Sequence, residues 1–164
     1  MTTDQHDVPI EQRKSQNEGP PFIFRLLNPI MKMILKSPIH SIVSDRIMII
    51  TFTGLKTGIE YSTPVSYLQE DQTVYCFTHG RWWMNLKGGA VVRLRIRGRE
   101  FEGKTEPISE DKDQIAKGLG KLLNAVPGDA RYYNVALDPN GNPDEDDLLR
   151  AADNTTMVVV RLEE

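Results

Sequence analysis

Residues 47–67, IMIITFTGLKTGIEYSTPVSY, set a glycine-bounded bend between two stretches patterned for β-structure, and this pairing restricts the chain more than any other feature. Ile47, Ile49 and Thr51 alternate with Met48, Ile50 and Phe52, and β-branched residues dominate, so the first stretch reads as a well-buried strand. Val65, Tyr67 and Leu68 give the second stretch the same character. Gly54 and Gly58 supply the positive φ angles of a tight connection and leave Lys56 and Thr57 at its tip. A cation and backbone N–H groups gathered at one bend can grip a phosphate; the plainer alternative is a hairpin turn with a solvated lysine.

The bend is neither of the two common phosphate loops. Gly54 is followed too soon by Lys56 for a Walker sequence, and a strand follows where that loop needs a helix. Gly54 and Gly58 do not match Gly-x-Gly-x-x-Gly, which excludes a Rossmann dinucleotide unit here.

More strands and turns follow. Residues 73–78, TVYCFT, read as a third strand after a turn at Glu70, Asp71 and Gln72, and RWWMNLK at 81–87 reads as a short helix closed by Gly88 and Gly89. Residues 90–96 and 100–106 form a second hairpin around Gly98. Within it Arg93, Arg95, Arg97 and Arg99 alternate with Val92, Leu94 and Ile96, so the arginines are expected on one face, solvated or gripping an anion. Ser109 is placed to cap a helix over 110–126 with Ile115, Leu119, Leu122 and Leu123 as its apolar stripe. A short aromatic segment at 129–133, a DPNGNP turn cluster, a helix over 144–152 and a buried strand over 156–162 complete the chain.

Hairpins therefore dominate, and the expected fold is mainly β with helices (α+β), an antiparallel barrel decorated by helices. The 164 residues suit one such domain over 22–164, preceded by a polar, mobile tail over 1–21. Residues 22–35 carry an amphipathic stripe, read as a lid helix or, alternatively, as a peripheral membrane contact. A net charge of −3 argues against a nucleic-acid partner. Cys76 stands alone and His6, His40 and His79 are scattered, so no metal site is expected, and a cytoplasmic location is the default.

Trp82, Trp83 and Asn85 follow His79, Gly80 and Arg81, putting planar, cationic and amide groups in one stretch suited to a flat ligand. Together, TFTGLKTG, the TPVSY that follows and WWMNLK resemble the deazaflavin-dependent nitroreductase family of split β-barrel oxidoreductases, related in fold to flavin reductases and pyridoxamine-phosphate oxidases. The likeness runs over residues 22–162. It implies hydride transfer from reduced coenzyme F-420 to a small-molecule electron acceptor, a nitro compound, quinone or activated alkene. A flavin mononucleotide (FMN) reductase of the same fold and a non-catalytic carrier of a flavin-like ligand are the alternatives, and either a monomer or a homodimer is compatible.

By the same resemblance Lys56 and Thr57 would hold the cofactor's phosphate or acidic tail, and Thr63, Pro64 and Val65 would run beneath its ring. Thr78, His79 and Arg81 would line the phosphate side, while Trp83 and Asn85 would shape the pocket near ring and ribityl chain. Tyr133 or Tyr132 would donate to the reducing centre, with His79 the third candidate. Two positions depart from the family pattern: Leu55 and Tyr61 stand where arginines are found in other members.

Overall fold

The computed structural model describes residues 45–163; the expected polar tail and amphipathic helix lie outside them. Six strands form a closed antiparallel barrel in the order β1-β2-β3-β6-β5-β4. These are β1 (Ile47–Thr53), β2 (Glu60–Glu70), β3 (Thr73–Thr78), β4 (Val91–Ile96), β5 (Arg99–Ile108) and β6 (Thr156–Leu162). A 3-10 helix (Arg81–Leu86) joins β3 to β4. Helices α1 (Lys112–Ala125), α2 (Ala130–Tyr133) and α3 (Glu145–Ala152) fill the long excursion between β5 and β6.

Alternation explains what each strand buries. Met48, Ile50 and Phe52 of β1 and Val92, Leu94 and Ile96 of β4 point into the barrel, and their neighbours face outward. In β6 nearly every residue is buried, because Val158, Val160 and Leu162 line the barrel interior while Met157 and Val159 meet the helices on its outer wall. A strand covered on both faces needs a continuous apolar run, which is what TMVVV provides.

Two expectations change in detail. The four arginines do not share a face: Arg93 and Arg95 project outward from β4, but Arg97, at φ 49°, forms the two-residue turn with Gly98, and Arg99 opens β5 opposite Ile96. Arg93 pairs with Glu60 and Arg97 with Asp45, so half of the set is already neutralised. Helix α1 is capped by Asp111, whose carboxylate accepts from the Gln114 N–H at 2.9 Å, and Ser109 lies beyond the cap. An acidic cap satisfies a free N–H and meets the positive end of the helix dipole.

The 3-10 helix, which carries the tryptophans, is pinned from below. Leu86, fully buried, plugs the barrel, and the buried Thr105 hydroxyl of β5 lies 2.7 Å from the Leu86 carbonyl. Replacing Asp111 by Ala is expected to lower stability by about 0.5–2 kcal/mol in urea unfolding, whereas Ser109→Ala stays within about 0.5 kcal/mol of wild type.

Candidate active site

The bend at residues 54–59 is closed by two short hydrogen bonds, Gly54 N–H to the Ile59 carbonyl and Gly58 N–H to the Gly54 carbonyl, both 2.8 Å. A Cβ on Gly54 would lie 2.6 Å from Thr57 Oγ1 and 2.7 Å from the Tyr61 ring, and Gly58 has φ 64°, so both positions demand glycine. Thr57 serves the bend itself: its Oγ1 accepts from the Ile59 N–H at 3.2 Å and lies 3.2 Å from the Tyr61 hydroxyl. What remains for an anion is the Lys56 ammonium with the Lys56 and Thr57 N–H groups, for which no acceptor exists among the described residues. Tyr61, in place of an arginine, thus contributes shape to the bend rather than charge.

Asn85 joins this bend to the 3-10 helix. Its Oδ1 accepts from the Leu55 N–H at 3.0 Å, and its Nδ2 donates to the Trp82 carbonyl at 3.0 Å. Both ends of the amide are therefore spent on the protein, and Asn85 positions the site. The two indoles divide their work. Trp82 stacks on Phe52, with ring centroids 5.4 Å apart and planes 19° apart, and closes the end of the barrel. Trp83 is half-buried and has the Lys87 ammonium 5.0 Å from its ring centroid. Lys87 escaped the sequence reading, although its spacing of four from Trp83 on a short helix was the available signal. Arg81, at the start of the same helix, is exposed.

On the other side of a bend at Gly80, His79 stacks on Tyr132, centroids 4.9 Å apart and planes at 15°, and meets the edge of Tyr133 at 5.1 Å. Burial lowers the His79 pKa from the ordinary 6.5, so the ring is neutral near pH 7. Thr78, also assigned to ligand contact, shapes the Gly80 bend: its buried Oγ1 accepts the Gly80 N–H at 2.9 Å.

The tyrosines part company. Tyr133 is 6% exposed and donates its hydroxyl to the Phe77 carbonyl at 3.2 Å, and burial pushes its pKa well above the usual tyrosine range. It is a core residue. Tyr132 is 60% exposed, and its hydroxyl has no hydrogen-bond partner among the described residues. The order of candidates, Tyr133 before Tyr132, is thereby reversed.

Thr63, Pro64 and Val65 do not make one platform. Thr63 and Val65 pair with Ile50 and Met48, whose side chains point into the barrel, while Pro64 sits opposite Ile49 on the outside. The rest is contiguous. Tyr132 lies on His79, His79 leads through Gly80 to Trp82, Trp82 is tied to Asn85, and Asn85 to the bend bearing Lys56. Lys56, Arg81 and Lys87 give this ledge a cationic donor set suited to a phosphate and carboxylates, and Trp83 and Tyr132 give it flat apolar surface suited to a ring system. Tyr133→Phe is expected to cost about 0.5–1.5 kcal/mol in urea unfolding, and Tyr132→Phe almost nothing.

Comparison with solved structures shows the fold again. A candidate 5-nitroimidazole antibiotic resistance protein from Bacteroides thetaiotaomicron is 18% identical, over 79% of this chain and 80% of its own, with a TM-score of 0.50. A protein of unknown function from Agrobacterium tumefaciens is 14% identical, over 73% of this chain and 49% of its own, at 0.52. A structure described as an F420-H2 dependent reductase is 16% identical, over 71% and 94%, at 0.48. No curated protein sequence matches. A family model described as F420H(2)-dependent quinone reductase matches residues 37–138, a span that includes the bend, the 3-10 helix, His79 and both tyrosines. With well over half of its length matched, the chain belongs to that family, and it is an oxidoreductase whose cofactor is coenzyme F-420.

Proposed function

We propose that this protein reduces quinones at the ledge that runs from Lys56 to Tyr132, and that nitro compounds and activated alkenes are secondary acceptors. The observation that carries the reading is the Asn85 amide, which joins the cationic bend to the indole-bearing helix and so makes one ligand surface of two separate segments. Lys56, with the free N–H groups of its bend, would hold the cofactor's phosphate, and Arg81 and Lys87 its acidic tail. Trp83 would lie against the flat part of the molecule.

When bound, the reduced deazaflavin supplies the hydride. The chain's own residues place the partners and steady the charge that builds on the acceptor. Tyr132 is the exposed hydroxyl able to donate to an acceptor oxygen, and its stacking on neutral His79 restricts the phenol's orientation. Solvent supplies the proton that completes a hydroquinone. A tyrosine hydroxyl is a weak acid near neutral pH, so its contribution is a hydrogen bond and not a full proton transfer.

Steady oxidation of reduced F-420, followed by its absorbance, tests the reading with menadione, a nitroaromatic and an enone as acceptors. Menadione is expected to give the highest kcat/KM; tight cofactor binding with no acceptor-dependent oxidation would instead identify a carrier. FMN titrated into the same protein should bind far more weakly than F-420. Tyr132→Phe is expected to lower kcat about tenfold with menadione KM little changed, less than the roughly hundredfold loss on removing a buried oxyanion donor. A Tyr132→Phe enzyme as fast as wild type would eliminate this role.

Binding separates the two ends of the ledge. Lys56→Ala should raise the F-420 Kd about tenfold and flatten its salt dependence, since an exposed charge-assisted contact is worth roughly 1–2 kcal/mol and is screened by salt. Asn85→Ala should weaken binding to a similar degree while leaving the salt dependence intact, because it frees the bend without removing a charge.

A further inference from the structure

His79 has a third neighbour, and that neighbour settles which ring nitrogen carries the proton. Its Nε2 lies 3.0 Å from Oγ1 of Thr155, a residue 2% exposed between α3 and β6. The hydroxyl proton of Thr155 is already committed, because Oγ1 donates to the Ala151 carbonyl at 2.7 Å. A hydroxyl has one proton and two lone pairs, so towards His79 it can only accept. The imidazole must therefore present Nε2–H to Thr155. Its Nδ1 keeps a lone pair and has no hydrogen-bond partner among the described residues.

We infer that Thr155 is a positioning residue of the reductase site: it holds His79 as the neutral Nε2–H tautomer, so that Nδ1 is an acceptor held within the His79–Tyr132 stack. This rests on the reading of the ledge as the reductase's ligand surface. Three contacts then define the ring, the Tyr132 face, the Tyr133 edge and the Thr155 hydroxyl, and each comes from a different part of the excursion between β5 and β6 or its end. The lowered pKa of His79 agrees with a ring kept neutral.

The assignment gives the stack complementary polarity. Tyr132 offers a donor and His79 an acceptor, so the pair can serve a carbonyl oxygen and an O–H or N–H of the docked molecules at the same time. A quinone carbonyl only accepts, whereas the hydroquinone hydroxyl it becomes can donate. The class of ligand recognised by His79 is accordingly one that bears a donor.

The test is a long-range proton–nitrogen correlation spectrum of the full chain labelled with nitrogen-15 histidine, without cofactor, at about pH 8, where the imidazoles are neutral. The His79 signals are identified by their loss in His79→Gln. The expected pattern is Nε2–H in wild type and in Thr155→Ser, with a mixture of tautomers in Thr155→Val. Turnover with menadione should fall several-fold in Thr155→Val through kcat and recover in Thr155→Ser. An Nδ1–H pattern in wild type, or an unchanged Nε2–H pattern in Thr155→Val, would overturn the inference; should Thr155→Val not fold, the wild-type and Thr155→Ser spectra decide it. Failure of the wild-type protein to oxidise reduced F-420 would remove the reductase reading and leave the tautomer result standing, so the two failures are distinct.

Discussion

One primary amide holds the site together. The bend at 54–59 belongs to the β1–β2 hairpin and the 3-10 helix to the β3–β4 connection, and backbone pairing in the barrel fixes neither against the other. Asn85 does so with both ends of its side chain, accepting from Leu55 and donating to the Trp82 carbonyl. An aspartate could not donate and a leucine could do neither. The amide is the short side chain with an acceptor and a donor at a fixed angle, and both partners are backbone groups that would otherwise need water. Leu86 beneath it and Trp82 against Phe52 keep the helix on the barrel end so that the amide has a rigid base.

A polar atom already satisfied by the protein is poorly placed to hold a ligand as well, and this sorts the site. Thr57, Thr78, Asn85 and Tyr133 all spend their polar atoms on turns, bends or backbone carbonyls. Lys56, Arg81, Lys87, Trp83 and Tyr132 remain. The first group would be retained in any protein that needs this shape, and the second group is what the shape exposes. Recognition motifs mix the two, because a short sequence match records that residues occur together and not which of them faces outward.

Much of the barrel could be read directly. Period-two alternation gave β1 and β4, turn chemistry gave the bends at Asp71 and Gly98, and a run of β-branched residues gave β6. Local rules failed where the deciding contact was distant. Tyr133 and Tyr132 are adjacent and chemically identical, and only a carbonyl 56 residues away, that of Phe77, makes one of them core and the other surface. Thr155 stands 76 residues from His79, after a helix with no motif of its own, so nothing near it signals a role. The arginine stripe failed for a different reason: alternation holds only inside a strand, and the turn at Arg97 breaks the phase.

The charges on the ledge explain why its shape matters more than any single contact. Lys56, Arg81 and Lys87 are exposed, so each interacts with an anion through a high dielectric and is screened by salt over roughly 8 Å at physiological ionic strength. None of them can supply the affinity of a buried ion pair, and the protein avoids the desolvation cost of one. Affinity for a large anionic cofactor must then be the sum of several weak contacts that are satisfied together. A sum of that kind is available only if the contacts are already at the right separation before binding, since ordering them on binding would consume about 0.5–1.5 kcal/mol for each long side chain. The closed bend, the plugged 3-10 helix and the amide between them provide that arrangement in advance, which is why side chains that need not touch the ligand can govern how well it is held.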